Sequence, residues 1–83
     1  MKKIVIYSST NCSFCHALKG WLKEKNVAFE DKVVDTDPKL TEEFMSVSDG
    51  FLGTPFTIIT DEDGTVTKIA GFDRPKFEQV LAA

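Results

Sequence analysis

The chain lacks any apolar run approaching the ~18 residues that a membrane-spanning helix needs. Met1-Lys2-Lys3 is followed by only four clearly apolar residues before Ser8-Ser9, too short for a secretory hydrophobic region. Positive charge is also scarce: 10 Lys and Arg stand against 13 Asp and Glu, a net charge of −3, so there is no basic field for nucleic acid or anionic lipid. Nothing repeats, and no segment is low in complexity or built as a linker. Cysteine is rare, with two in 83 residues. A chain of this length has room for one core, burying somewhat over ~60% of the surface that the unfolded chain exposes. These absences point to a single soluble, cytoplasmic domain over residues 1–83, with neither membrane nor nucleic acid as partner. Where thiols are kept reduced, a lone close cysteine pair serves catalysis or metal binding rather than stapling. As a staple it would do little, because closing so short a loop contributes only about 2 kcal/mol in the chain-entropy picture before strain.

What is present is organised around Ser8-Ser9-Thr10-Asn11-Cys12-Ser13-Phe14-Cys15-His16. Lys3 to Tyr7 is a continuous apolar run rich in β-branched residues, which suits a central parallel strand covered on both faces. Phe14, Leu18, Trp21 and Leu22 then recur at helical spacing through about Lys25, with Gly20 on the polar side and Asn26 as a stop. Val27 to Val34 ends in a second strand, Lys32-Val33-Val34. Asp37 reads as an N-cap with Pro38 at the first helical position, and Leu40, Phe44 and Val47 give that helix one apolar face up to Ser48-Asp49-Gly50. Gly53-Thr54-Pro55 precedes a strand over Phe56 to Ile59, a position where sheets tolerate proline. Asp61-Glu62-Asp63-Gly64 is a hairpin signal returning into Val66 to Ile69. Gly71-Phe72-Asp73-Arg74-Pro75 punctuates the chain before a last helix with Phe77, Val80 and Leu81 on its apolar face. The order is βαβαββα, an α/β arrangement. Helical crossovers force the first two strands parallel, and the hairpin forces the last two antiparallel.

A Cys-x-x-Cys at a strand-to-helix junction reads as a thioredoxin-like redox motif. Taken together, Cys12-Ser13-Phe14-Cys15, Thr54-Pro55 and Gly71-Phe72-Asp73 resemble the glutaredoxin family at the expected positions over nearly the whole chain. The resemblance implies a thioredoxin fold, with a four-stranded mixed sheet of order 2-1-3-4 flanked by three helices. It implies a thiol–disulfide oxidoreductase with Cys12 and Cys15 as the catalytic pair. Phe14, Thr54, Pro55, Gly71, Phe72 and Asp73 would bind substrate, with Thr54-Pro55 a cis bond beside the sulfurs. It implies no bound cofactor or metal. The partners would be disulfide-containing proteins and a reductant, either glutathione or thioredoxin reductase, and the protein is expected to be a monomer. Glutathione-using members typically carry Lys or Arg three residues before the first cysteine, a Thr-Val-Pro, and a Gly-Gly ahead of the last helix. Here Ser9, Gly53-Thr54-Pro55 and Ala70-Gly71 stand there. Gly71-Phe72 and Arg74-Pro75 are instead similar to the redoxins that supply electrons to ribonucleotide reductase and are reduced by thioredoxin reductase, with Asp73 inserted in their pattern.

The chemistry asks for a thiolate, whereas a free thiol is only a few percent (roughly) ionised at neutral pH. Cys12 at the first helix's N-terminus would face unpaired N–H groups and the positive dipole end. The dipole supplies about 0.3–1 kcal/mol, so amide hydrogen bonds from Phe14 and Cys15 must add to it. Cys12 would attack a disulfide, and Cys15, one turn along, would resolve the mixed disulfide. An extended Thr54 would offer a free N–H and C=O to substrate backbone.

Plainer readings stand beside these. His16 and Lys19 share a polar face with Cys12 and could support the thiolate, or simply be solvated. Phe14 falls in phase with the core, yet the family has an exposed ring between its cysteines, and a rim position is expected. Trp21, Leu18 and Leu22 are expected in the core, and Phe72 either lines it or meets a partner. Asp73 could be only an N-cap. Cys12, Cys15 and His16 also match a c-type haem attachment pattern, with Met45 as the available second ligand, but export would be required. An iron–sulfur or metal-binding module is the rival of another class. Two cysteines are half of a tetrahedral thiolate set, so it needs a dimer or added thiols.

Overall fold

The computed structural model describes residues 2–51 and 53–82. The first apolar run forms β1 (Lys3–Ser8), with Ile4 and Ile6 packed into one cluster and Val5 and Tyr7 into another. A strand that feeds two clusters from alternating positions lies between two helical layers, as its unbroken hydrophobicity requires. Helix α1 (Ser13–Glu24) follows, and Asn26 ends the run in the left-handed region, φ 57°, a conformation that Asn tolerates.

Strand β2 (Glu30–Val33) starts before Lys32-Val33-Val34 and stops one residue short of its end, because Val34 opens a 3-10 turn over Val34–Thr36. Hydroxyls supply the reason. Thr36 Oγ1 donates to the Val33 carbonyl and Thr41 Oγ1 to the Val34 carbonyl, both at 2.7 Å, so these acceptors are satisfied without a strand partner. Helix α2 (Pro38–Val47) begins as read, with Asp37 Oδ1 accepting from the Lys39 amide at 2.9 Å and Pro38 in the first turn. Strands β3 (Phe56–Thr60) and β4 (Val66–Ala70) close a hairpin in which the Asp61 amide donates to the Thr65 carbonyl at 2.8 Å. Gly64 supplies the positive φ, 89°, that such a tight turn demands. Helix α3 (Arg74–Ala82) ends the described chain.

The sheet order is β2-β1-β3-β4, with β1 parallel to β2 and antiparallel to β3, and β3 antiparallel to β4. This is the mixed α/β sheet of the thioredoxin fold expected from the sequence. On one face Leu18 and Leu22 of α1 and Phe77 of α3 pack against Ile4, Ile6, Ile59 and Ile69. Full burial of side chains of this kind stabilises by about 1.5–3 kcal/mol each. On the other, Phe44 of α2 packs against Tyr7, Val34 and Phe56. Trp21, expected in the core, lies only partly buried at its margin, against Phe72 and Phe77. Its indole is flanked by Lys25 and Arg74, with the cations 5.0 and 5.5 Å from the ring, so one edge stays at the surface. Among the described residues no helix is long and apolar enough to cross a membrane.

Register then places the site. Ser8 is opposite Val33, Tyr7 is opposite Phe56, and Phe56 is opposite Ala70. The segments leaving β1, β2 and β4 and the one entering β3 therefore share one edge of the sheet, and those four segments carry the residues of interest.

Candidate redox site

Cys12 is the N-cap of α1, with extended backbone (φ −105°, ψ 104°). Its Sγ accepts a hydrogen bond from the Cys15 amide at 3.1 Å. Sulfur here takes the place of the Ser or Asp oxygen that ordinarily satisfies a first-turn N–H. Of the two amides expected to serve it, Cys15's is the one that reaches Sγ. The helical turn brings Cα atoms 12 and 15 within 5.2 Å, and the two sulfurs form a disulfide, a separation inside the range such bonds require. The two cysteines differ sharply in access: Cys15 is 0% exposed, while Cys12 is only partly covered.

The Thr54–Pro55 peptide bond is cis, and the Thr54 carbonyl oxygen lies 3.6 Å from Cys12 Sγ. In the disulfide that sulfur has no proton to donate, so the contact becomes a hydrogen bond only when Cys12 is a thiol. Thr54 is thus not wholly free for a substrate strand, as the sequence suggested; its carbonyl faces the sulfur. Ser9 Oγ sits 2.9 Å from Thr54 Oγ1 and ties the loop before Cys12 to this platform. The Pro55 carbonyl accepts from the Gly71 amide at 2.8 Å, with Gly71 at φ 74°. The structure therefore brings together Cys12, Cys15, Thr54, Pro55 and Gly71.

The remaining candidates divide. Phe14 is 67% exposed, at the rim beside the sulfurs rather than in the core that helical phase suggests. Phe72 turns toward Trp21 and Phe77, with ring centroids 5.6 and 6.2 Å away, and is chiefly a lining residue. Asp73 accepts from the Lys76 amide at 3.4 Å through Oδ1 and from the Phe77 amide at 3.0 Å through its carbonyl, which is N-cap geometry. Lys19 and His16 both find partners other than the sulfur. Lys19 Nζ is held by Asp31 Oδ2 at 2.8 Å, and His16 Nε2 meets the Thr10 carbonyl at 3.3 Å. Met45 is 59% exposed on α2. Among the described residues no three His, Cys, Asp or Glu side chains gather as a metal site.

Three carboxylates surround this edge without having been singled out in the sequence. Buried Ser8 donates through Oγ to Asp31 Oδ1 at 2.6 Å, and Asp31 also holds Lys19. The Thr10 amide, with the Thr10 hydroxyl, holds the Asp35 carboxyl below its usual range. Under the sheet, Glu43 accepts from Lys32 and from the Tyr7 hydroxyl, the latter at 2.6 Å. The Lys32 bond, then that of Tyr7, lowers Glu43, and Lys32 is raised in turn. Burial and then Glu43 raise the Tyr7 phenol well above its ordinary value. All three carboxylates act across long separations in sequence. Asp35 lies in the Asp35-Thr36-Asp37-Pro38 cluster, where turn chemistry alone accounts for an acidic residue.

The family model for glutaredoxin matches residues 4–63. The chain is 33% identical over 60 residues to the glutaredoxin-like protein NrdH of Lactococcus lactis, covering 72% of this chain and 78% of that protein. It is 35% identical over 78 residues to an uncharacterized glutaredoxin-like 8.6 kDa protein in the rubredoxin operon of Clostridium pasteurianum, covering 94% and 96% of the two chains. Among solved structures, the glutaredoxin-like protein NrdH-redoxin of Escherichia coli, described by its thioredoxin-like activity profile, superposes with a TM-score of 0.74. The two are 30% identical, and the match covers 95% of this chain and 93% of that one.

Proposed function

Since this chain belongs to the glutaredoxin family and is a thiol–disulfide oxidoreductase, we propose that Cys12 is its nucleophile, Cys15 its resolving thiol, and thioredoxin reductase its source of electrons. The Cys12 thiolate attacks one sulfur of a target disulfide. A Cys12–target bond forms, the target S–S bond breaks, and the departing sulfur takes up a proton. Cys15, having given up its proton, attacks Cys12 Sγ, which releases the second target thiolate and leaves the Cys12–Cys15 disulfide. Two electrons pass to the target, and a reductase returns two. The observation that carries the assignment is the asymmetry at the helix start, where a partly exposed sulfur accepts an amide hydrogen bond and its partner sulfur is wholly buried.

The choice of reductant is supported by what stands around the pair. Ser9, Gly53-Thr54-Pro55 and Ala70-Gly71 occupy the places where glutathione-using members carry Lys or Arg, Thr-Val-Pro and Gly-Gly. Asp73 is engaged in capping α3. The likeness to proteins named NrdH points the same way, toward the redoxins that supply ribonucleotide reductase. In this reading the protein works as a cytoplasmic monomer on disulfide-containing proteins, with Thr54, Pro55, Gly71 and the Phe14 ring at the contact.

Reduction of a protein disulfide is to be followed with either thioredoxin reductase and NADPH, or glutathione, glutathione reductase and NADPH. The first is expected to sustain turnover; activity sustained by the second alone overturns the choice of reductant. Cys12→Ser is expected to abolish turnover, and Cys15→Ser to accumulate mixed disulfides. Turnover by Cys12→Ser overturns the assignment of the nucleophile.

A further inference from the structure

Asp35 takes no part in the sulfur chemistry described above and yet is bonded to its scaffold. It stands in the 3-10 turn after β2, at the same sheet edge as Cys12. The Thr10 amide donates to both of its oxygens, at 3.2 and 3.1 Å, and the Thr10 hydroxyl donates to Oδ1 at 3.0 Å. Thr10 is two residues before Cys12, and its own carbonyl meets His16 Nε2 at 3.3 Å, one turn into α1. Ser9, the preceding residue, is 2.9 Å from the Thr54 hydroxyl. The segment carrying Cys12 is thus tethered three ways, to the β2 side by Asp35, to α1 by His16 and to the platform by Thr54. Asp35 is the tether with two donors on one charged acceptor, and charge-assisted bonds are roughly twice as strong as neutral ones.

We propose that Asp35 is a positioning residue for the redox pair: by fixing Thr10 it sets where Cys12 Sγ lies against the Cys15 amide and the Thr54 carbonyl. This rests on the reading of Cys12 as nucleophile. The connection from β1 to α1 is only Ser9-Thr10-Asn11-Cys12, so a displacement at Thr10 reaches Cys12 through two peptide units. The Sγ contacts it would disturb, at 3.1 and 3.6 Å, depend steeply on distance and angle. The sign of the effect separates positioning from charge. A nearby carboxylate disfavours a thiolate, so deleting the charge alone would ease ionisation of Cys12. Loosening the loop weakens the amide bond and opposes it.

The test uses Asp35→Ala and Asp35→Asn, reduced, with iodoacetamide alkylation of Cys12 followed across pH and kcat/KM measured on insulin disulfides. Asp35→Ala is expected to displace the alkylation profile to higher pH. It is also expected to lower kcat/KM of the order of tenfold, short of the ~10²-fold that a 1 Å misplacement can cost. Asp35→Asn keeps one acceptor oxygen for Thr10 and is expected to recover most of both losses. An alkylation profile that stays in place or moves to lower pH in Asp35→Ala overturns the proposal. Should that variant not fold, Asp35→Leu, of similar shape and with no acceptor for Thr10, takes its place: the same upward movement supports the proposal, and a profile that stays in place or moves to lower pH overturns it. Cys12→Ser is run in parallel. Turnover surviving there refutes the functional reading, whereas an inactive Cys12→Ser beside unaltered Asp35 variants refutes the positioning role alone.

Discussion

The asymmetry of the pair can be read directly in reduced Cys15→Ser, which leaves one thiol and keeps the residue-15 amide that bonds it at 3.1 Å. A hydrogen bond to a charged acceptor contributes about 1.5–3 kcal/mol and a helix N-terminus about 0.3–1 kcal/mol. The Thr54 carbonyl, 3.6 Å from Sγ, presents its negative end to a thiolate and takes part of this back. A net stabilisation of about 2 kcal/mol multiplies the thiolate-to-thiol ratio roughly 30-fold. At pH 7 an unperturbed thiol is a few percent ionised, and Cys12 would then be about half ionised. Rate does not follow in proportion, because a more stable thiolate is a weaker nucleophile, which costs about fivefold here. The useful quantity is therefore the ratio of alkylation rates at pH 9 and pH 6, from which nucleophilicity and steric access both cancel. It is expected to be roughly 200 for a short peptide of the Cys12 sequence and about 10 for the folded variant. Iodoacetamide labelling followed by mass spectrometry measures both. A folded-state ratio near the peptide's would refute the argument that the start of α1 activates this sulfur.

Phe77, 0% exposed between the sheet and Trp21, is expected to cost about 3–5 kcal/mol when cut to Ala, read from urea unfolding. Asp73→Ala is expected to cost about 1 kcal/mol through loss of the α3 cap and to leave KM for a glutathionylated substrate unchanged; a raised KM would return Asp73 to substrate binding. The pH dependence of stability should carry two limbs from the Tyr7, Lys32 and Glu43 cluster. Glu43 is lowered in the folded state, so its contribution is full above its unfolded value near about pH 4 and is lost as pH falls below it. Tyr7 and Lys32 are raised, so theirs is full below about pH 10 and declines above it. Glu43→Gln should reduce the acid limb, to which the lowered Asp35 and Asp63 also contribute, and Tyr7→Phe the alkaline one, shared with Lys32, in thermal melts carried below about pH 4 and above about pH 10. Limbs of unchanged depth in both would place the titration elsewhere.

What was legible in the sequence is what is local or periodic. Leu18 and Leu22 name their own face, Asp37-Pro38 names a helix start, and Cys12-x-x-Cys15 lies within one turn, so a local motif brings its two sulfurs together. Val34 escaped because its turn is stabilised by Thr41, seven residues on, and nothing in the apolar pattern registers a hydroxyl. Trp21 has core phase but sits at the margin of the cluster, with Lys25 and Arg74 over its ring. Asp31 and Asp35 were illegible for a stronger reason. Each acts across the parallel crossover, on Ser8 and Thr10, and a contact made by register has no trace until the strands are paired. Lys19 shows the reverse case: its spacing from Cys12 is right for a thiolate partner, and a carboxylate on β2 has claimed it.

If Lys19 or His16 stabilised the Cys12 thiolate as exposed cations, the effect would weaken with salt, since the screening length falls from about 30 Å at 0.01 M to about 3 Å at 1 M. Both side chains are engaged elsewhere, Lys19 with Asp31 at 2.8 Å and His16 with the Thr10 carbonyl at 3.3 Å. The donor that reaches the sulfur is a backbone amide, and a direct hydrogen bond is not screened by mobile ions, leaving only the smaller dipole share exposed to them. The pH 9 to pH 6 alkylation ratio of Cys15→Ser should accordingly move by no more than about fivefold between those salt concentrations, the most that losing a dipole share of about 1 kcal/mol allows and short of the peptide value. Lys19→Met should leave the ratio in place as well, while costing whatever stability the Asp31 pairing supplies. A ratio that climbs toward the peptide value in high salt would mean that a side-chain cation, and not the first turn of α1, holds the charge.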